Sequence, residues 1–177
     1  MAKKETAFGS GIGYQALKAE GTRIGRCGDQ ESTKEWVQKL LSDEPVTVQR
    51  ASAVCHAISD ETPEIFQPHI SELITSIEKD VHDAAPRFAF RVLSMIRIPE
   101  EMLGETVDVA FKRLSSPLQP AAIHVFAMTV ISNAIDIYPE LGNELELLLR
   151  EGLPIGSAGY RNRAGKIARK HGLDLGN

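Results

Sequence analysis

The feature that most restricts what this chain can become is a period. Trp36, Leu73, Ala110 and Leu147 stand 37 residues apart, and so do Val37, Ile74, Phe111 and Leu148. Leu40, Ile77 and Leu114 make a third column, and Ala53, Phe90, Ala127 and Ala164 a fourth. A fifth, Val48, Ala85, Ala122 and Gly159, is small throughout except at Val48. A fixed interval of about 20–50 residues marks stacked modules, none of which can hide its apolar face alone. Four units tile residues 28–64, 65–101, 102–138 and 139–175.

Inside each unit the apolar spacing is helical and breaks in two places. First helices are predicted over 32–42, 65–79, 101–115 and 140–152, and second helices over 46–59, 83–97, 120–138 and 158–171. Pro63-Glu64, Pro99-Glu100 and Pro139-Glu140 separate the units, proline closing one helix and the acid opening the next. These markers lie 36 and 40 apart, so the loops vary while the packed columns keep step. Asp83, Ser116 and Ser157 are candidate N-caps, and Pro86 and Pro120 suit a first turn, where no amide donor is lost. The most apolar stretch, Pro120 to Tyr138, would span roughly 28 Å as a helix. Its His124, Asn133 and Asp136 argue against a membrane span and for an inner helix covered by neighbours. No segment alternates at period two. The expected fold is all-α, an α-α superhelix (solenoid) of about four helical hairpins.

A family resemblance rests on particular residues. Asp43 with Arg50 and Asp80 with Arg87, each pair seven apart around the start of a second helix, resemble a HEAT-type repeat, as do the Pro-Glu openings. Second helices of the form VQRASAVCHAI and PRFAFRVLSMI are similar to that repeat as well. The resemblance covers about residues 29–175 and implies a HEAT-like, armadillo-like array. Its C-terminal run PELGNELELLLREGLPIGSAGYRNRAGKIARK resembles small bacterial HEAT-like proteins of unestablished activity, some of which carry an adenylosuccinate lyase label. The mobile-loop pattern of those lyases, S-S-x-M-P-x-K-x-N, has no counterpart near Gly156 to Asn162, so no catalytic residue carries over. The resemblance further implies a ladder between repeats, with Asp43, Arg50, Asp80, Arg87 and His124 as its structural members.

Charge is unevenly distributed within the net −4. Residues 1–28 hold five Lys or Arg against two acids, residues 158–177 five against one, and the stretch between them ten against 21. Residues 1–28 also hold six glycines and no sustained period, and are expected to be a flexible basic arm with a short helix at most over Tyr14 to Ala19. Gly9-Ser10-Gly11-Ile12-Gly13 lacks the preceding strand that a dinucleotide loop needs. Residues 29–177 form the repeat domain. The predicted helix Tyr160 to His171 gathers Arg163, Lys166, Arg169 and Lys170 opposite Tyr160, Ala164, Ile167 and Ala168. With Arg161, whose column partner is lost where Pro154 stands, these four cations are the candidate site for an anion or an acidic partner. A terminal repeat also needs a polar outer face for its own sake, the competing explanation for the same residues.

The five histidines show no metal spacing, and the thiols Cys27 and Cys55 are too few for a disulfide framework or a cysteine metal site. No catalytic residue, metal or cofactor is expected. No secretory pattern follows Lys3 and Lys4, so a cytoplasmic location is the expectation. The leading function is a non-enzymatic protein-binding scaffold or adaptor, with a protein or peptide partner or self-association. Binding of the nucleic-acid backbone is the alternative, since HEAT-like DNA alkylpurine glycosylases hold DNA on such an architecture. The acidic body and the single Trp36 speak against it. No membrane partner is expected.

Overall fold

The computed structural model describes residues 13–79 and 81–176. Among these residues there is no strand, and nine α-helices follow one another with one 3-10 helix between the third and fourth. They are α1 (Tyr14–Cys27), α2 (Gln30–Leu40), α3 (Pro45–Glu61), the 3-10 helix (Pro63–His69), α4 (Ile70–Glu78), α5 (Ala84–Leu93), α6 (Glu100–Leu114), α7 (Ala121–Ile135), α8 (Leu141–Gly152) and α9 (Ala158–His171). The fold is an all-α helical repeat. No helix among the described residues is long and apolar enough to cross a membrane. Two compact units divide inside α5, Met1–Phe88 and Ala89–Asn177.

The first unit is built on α3, which packs against α1 and α2. Val48, Ala51, Val54, Cys55 and Ile58 of α3 are wholly buried. Phe66 of the 3-10 helix and His56 of α3 both meet the Phe88 ring edge-on, with centroids 5.2 and 5.1 Å away. Buried hydroxyls are satisfied by main-chain oxygens: Thr33 donates to Asp29 O, Ser52 to Ala84 O and Ser76 to Leu73 O. Burial pushes the Cys55 thiol well above its usual range, leaving it a small core residue.

Where a flexible arm with a helix over Tyr14 to Ala19 is expected, residues 14–27 are a 14-residue helix seated on α3. The rest of the predicted arm, and its Gly9 to Ile12 stretch, lies outside the described residues. The glycines that read as flexibility are packing surface. A methyl group at Gly21 would stand 2.4 Å from Val54 O, and one at Gly25 2.8 Å from Ile58 O. Leu17, Gly21, Ile24 and Gly25, the buried residues of α1, recur 34 residues on as the buried Ala51, Cys55, Ile58 and Ser59. So α1 holds the face that a second helix holds. Gly28, left-handed at φ 63°, ends α1, and the Asp29 carboxylate then accepts from Ser32 N at 3.0 Å to start α2. Those hydrogen bonds hold the Asp29 carboxyl below the usual carboxylate range.

In the second unit α7 is the inner helix, touched by α6, α8 and α9. It is shorter than the predicted 120–138: Ile137 is 57% exposed, beyond the helix end. The packed faces keep a 37-residue step between α7 and α9, where Ile123, Ala127, Val130 and Ile131 answer to Tyr160, Ala164, Ile167 and Ala168. Between α6 and α8 the step is 39, taking Leu103, Thr106 and Ala110 to Gly142, Leu145 and Leu149. The column Trp36, Leu73, Ala110 and Leu147 therefore fails at its last member: Leu147 is 58% exposed and Leu145 and Leu149 carry the burial. Trp36 is only half-buried, with Lys39 Nζ 3.9 Å over its ring. Asp83 stands immediately ahead of α5, as expected of a cap, and the expected cap at Ser116 is corrected. His82 Nδ1 accepts the Ala84 N–H, and α7 starts at Pro120 with no side-chain cap. Ser157 does cap α9, its hydroxyl accepting from Tyr160 N at 3.1 Å.

A paired substitution tests the reading of α1. Gly21→Ala is expected to destabilise by roughly 1–3 kcal/mol, since its methyl meets backbone in a filled interface. Gly104→Ala, in an open position of α6, is expected to stabilise by up to about 1 kcal/mol. Urea unfolding of both variants gives the comparison, and equal effects would mean that α1 is not closely seated.

Candidate functional site

Helix α9 forms because both ends are specified. Ser157 caps its start, Arg169, Lys170 and His171 sit beside the free carbonyls of its last turn, and Gly172 at φ 68° ends it. Tyr160, Ala164, Ile167 and Ala168 are buried and fix which face turns outward. Of the five predicted site cations, the structure sets two apart. Arg161 Nη1 donates to Gly156 O at 2.6 Å, folding back onto its own loop. Lys170 Nζ pairs with Asp136 at 2.7 Å, and His171 Nε2 lies 2.8 Å from the Ser132 hydroxyl. Arg163, Lys166 and Arg169 remain together on the outer side, Lys166 and Arg169 exposed and Arg163 half-buried. None of these three has a hydrogen-bond or ion-pair partner among the described residues.

Of the predicted ladder, Asp43 and His124 show their partners. Asp43 pairs with Lys79 Nζ at 2.8 Å, not with an arginine of the column, and that ammonium also donates to Leu41 O at 2.6 Å. The Lys79 contact holds the Asp43 carboxyl below its ordinary range. Asp80 lies outside the described residues. Arg50 is half-buried and Arg87 exposed. His124 Nε2 meets Ser116 O at 2.8 Å, and its ring stands edge-on to Tyr160 at 5.8 Å. So His124 joins the second helices of the last two repeats through a ring contact rather than through charge. The described histidines share no site, and no group of three His, Cys, Asp or Glu among the described residues could hold a metal ion.

Sequence reasoning did not find the cleft beside α9. It lies between the α6–α7 connection and the α8–α9 connection, with a volume of about 390 Å³. Leu114, Pro117, Leu148, Ile155 and Tyr160 give it apolar walls, and Glu151 is its one charged lining residue. Tyr160 is held over two glycines. A methyl group at Gly152 would stand 2.1 Å from its hydroxyl oxygen, and one at Gly156 2.7 Å from Cδ1. The hydroxyl donates to Leu148 O at 3.2 Å, and burial raises its ionisation above the ordinary tyrosine range. The available signal was the pair Gly152 and Gly156 ahead of Tyr160, residues that read more readily as a mobile turn.

A family model described as a HEAT repeat domain matches residues 21–155, more than half of the chain. The chain belongs to the HEAT-repeat family. Comparison with curated proteins and with solved structures finds no match. The family match begins within α1, in agreement with the packing of Gly21 and Gly25 on α3. It ends ahead of α9, whose cations are thus features of this HEAT-repeat chain rather than of the matched pattern.

Tyr160→Phe is expected to cost about 1 kcal/mol, because Leu148 O loses its buried donor. The folded-state pKa of Tyr160 lies above that of the unfolded chain. Its contribution is therefore fully present below about pH 10 and is lost as pH rises further. Thermal unfolding between neutral pH and pH 11 should show a smaller alkaline loss in the Phe variant than in the intact chain.

Proposed function

We propose that this HEAT-repeat chain is a non-enzymatic scaffold that binds a protein or peptide, and that the outer face of α9 receives an acidic surface of that partner. The observation that carries the reading is the trio Arg163, Lys166 and Arg169, outward-facing and without an acid anywhere in their helix. Arg161 and Lys170 act indirectly, the first tying down the loop before α9 and the second anchoring its far end to Asp136. Helical repeats present extended surfaces on rigid elements, which suits recognition by complementary charge. Three cations on one face, spaced at helical intervals, can meet carboxylates on a facing helix or strand without deep burial.

The test compares the intact chain with a triple variant, Arg163→Glu, Lys166→Glu and Arg169→Glu, for a partner first isolated on the intact chain. Reversal of these three charges is expected to weaken binding roughly tenfold to a hundredfold near physiological salt. Added salt should reduce that difference. Equal affinity for both proteins would remove α9 as the contact surface. An oligonucleotide bound by the intact chain with a steep salt slope, and with no protein partner, would favour the phosphate-backbone reading instead.

A further inference from the structure

We propose that the cleft between residues 115–120 and 153–157 receives a peptide of the partner, which inserts one large aliphatic or aromatic side chain and sets a neighbouring Lys or Arg against Glu151. The proposal rests on the scaffold reading and names a second contact, separate from the basic face of α9. Four observations support it. The cleft, at about 390 Å³, lies at the low end of the roughly 300–1,000 Å³ usual for ligand sites. That size suits one or two side chains rather than a whole helix face. Its walls are preformed, because the Tyr160 ring is seated on Gly152 and Gly156 and locked by the bond to Leu148 O. His124 braces the other wall through Ser116 O.

The mouth is apolar as well. Ile155 is 76% exposed, and Leu118, between the lining residues Pro117 and Gln119, is 92% exposed. Two large aliphatic side chains held in water beside an apolar cleft extend the contact along a chain in both directions. Charge then selects the occupant. Glu151 is the one charged side chain of the lining, and it has no ion pair or hydrogen bond among the described residues. The nearby Arg161 is engaged with Gly156 O, and Arg113 reaches Gln119 Oε1 at 3.5 Å. A basic residue next to the inserted side chain complements that carboxylate, whereas an acidic one is repelled.

Selection of phage-displayed random dodecapeptides on the immobilised full chain provides the probe. Enriched sequences are expected to place Phe, Trp, Leu, Ile or Met next to Lys or Arg. A synthetic peptide of the commonest sequence is then titrated against Ile155→Ser and Glu151→Gln, both at exposed positions where the fold should survive, with circular dichroism confirming this. Each change is expected to weaken binding about tenfold, and Glu151→Gln should also flatten its salt dependence. The α9 triple variant should bind the same peptide undiminished, so failure in the cleft and failure on α9 are read separately. Unchanged affinity in both cleft variants, acidic winners, or no enrichment would overturn the proposal. A concentration-dependent dimer abolished by Ile155→Ser would overturn it in favour of a second copy as the occupant.

Discussion

Burial of α7 is the constraint on which the second unit depends. Ile123, Ala127, Met128, Val130 and Ile131 are essentially inaccessible, and no single neighbour can cover a helix that is apolar around so much of its girth. Contacts from α6, α8 and α9 supply the cover. Each of those helices turns apolar residues toward α7. In α9 the consequence is direct. Once Tyr160, Ala164, Ile167 and Ala168 are committed inward, geometry alone sends Lys166 and Arg169 outward. The candidate acidic-partner face is thus a by-product of how the core is closed.

The same logic in the first unit uses small residues in place of large ones. α1 lies so close to α3 that a methyl group at Gly21 would overlap a carbonyl oxygen. Close approach brings backbone against backbone, and the gain is dispersion contact rather than side-chain burial. The contact is finished by polar bonds, Thr62 Oγ1 to Gly25 O at 3.1 Å and Arg26 to Glu61 at 3.2 Å. The arginine pair is exposed and contributes little; the shape of the two helices carries the interface.

The period and the order of the helices after α1 were legible because they rest on large apolar residues at a repeating interval, and the HEAT character because of the Asp and Arg pairs and the Pro-Glu openings. What escaped the sequence has two physical causes. Glycine is ambiguous: in α1 it permits close packing, and before Tyr160 it makes a seat for a ring, yet in both places its composition reads as a loose turn. Register is the other. Pro99 and Pro139 are 40 apart, and a fixed interval cannot show whether the extra residues fall in a loop or shift a helix. They shift α8, so Leu145 and Leu149 are buried where Leu147 and Leu148 had the periodic claim. The basic face was legible as five cations, but the subset left over by Asp136 and Gly156 O depends on contacts far apart in sequence.

Register shift and cleft fall in the same part of the chain. The step from α6 to α8 is 39 residues while that from α7 to α9 stays at 37, so in the last repeat the first helix has moved along the chain and the second has not. Less chain is then left between α8 and α9 than between α6 and α7, five residues against six, with five between α4 and α5 and four between α2 and α3. The α6–α7 and α8–α9 connections form opposite edges of the cleft. The space between them is lined by what the loops hold, Pro117 on one side and Ile155 on the other, above a floor of Tyr160. The shift of α8 shortens its own connection, so the cleft is owed to the residues that the two connections hold rather than to their length.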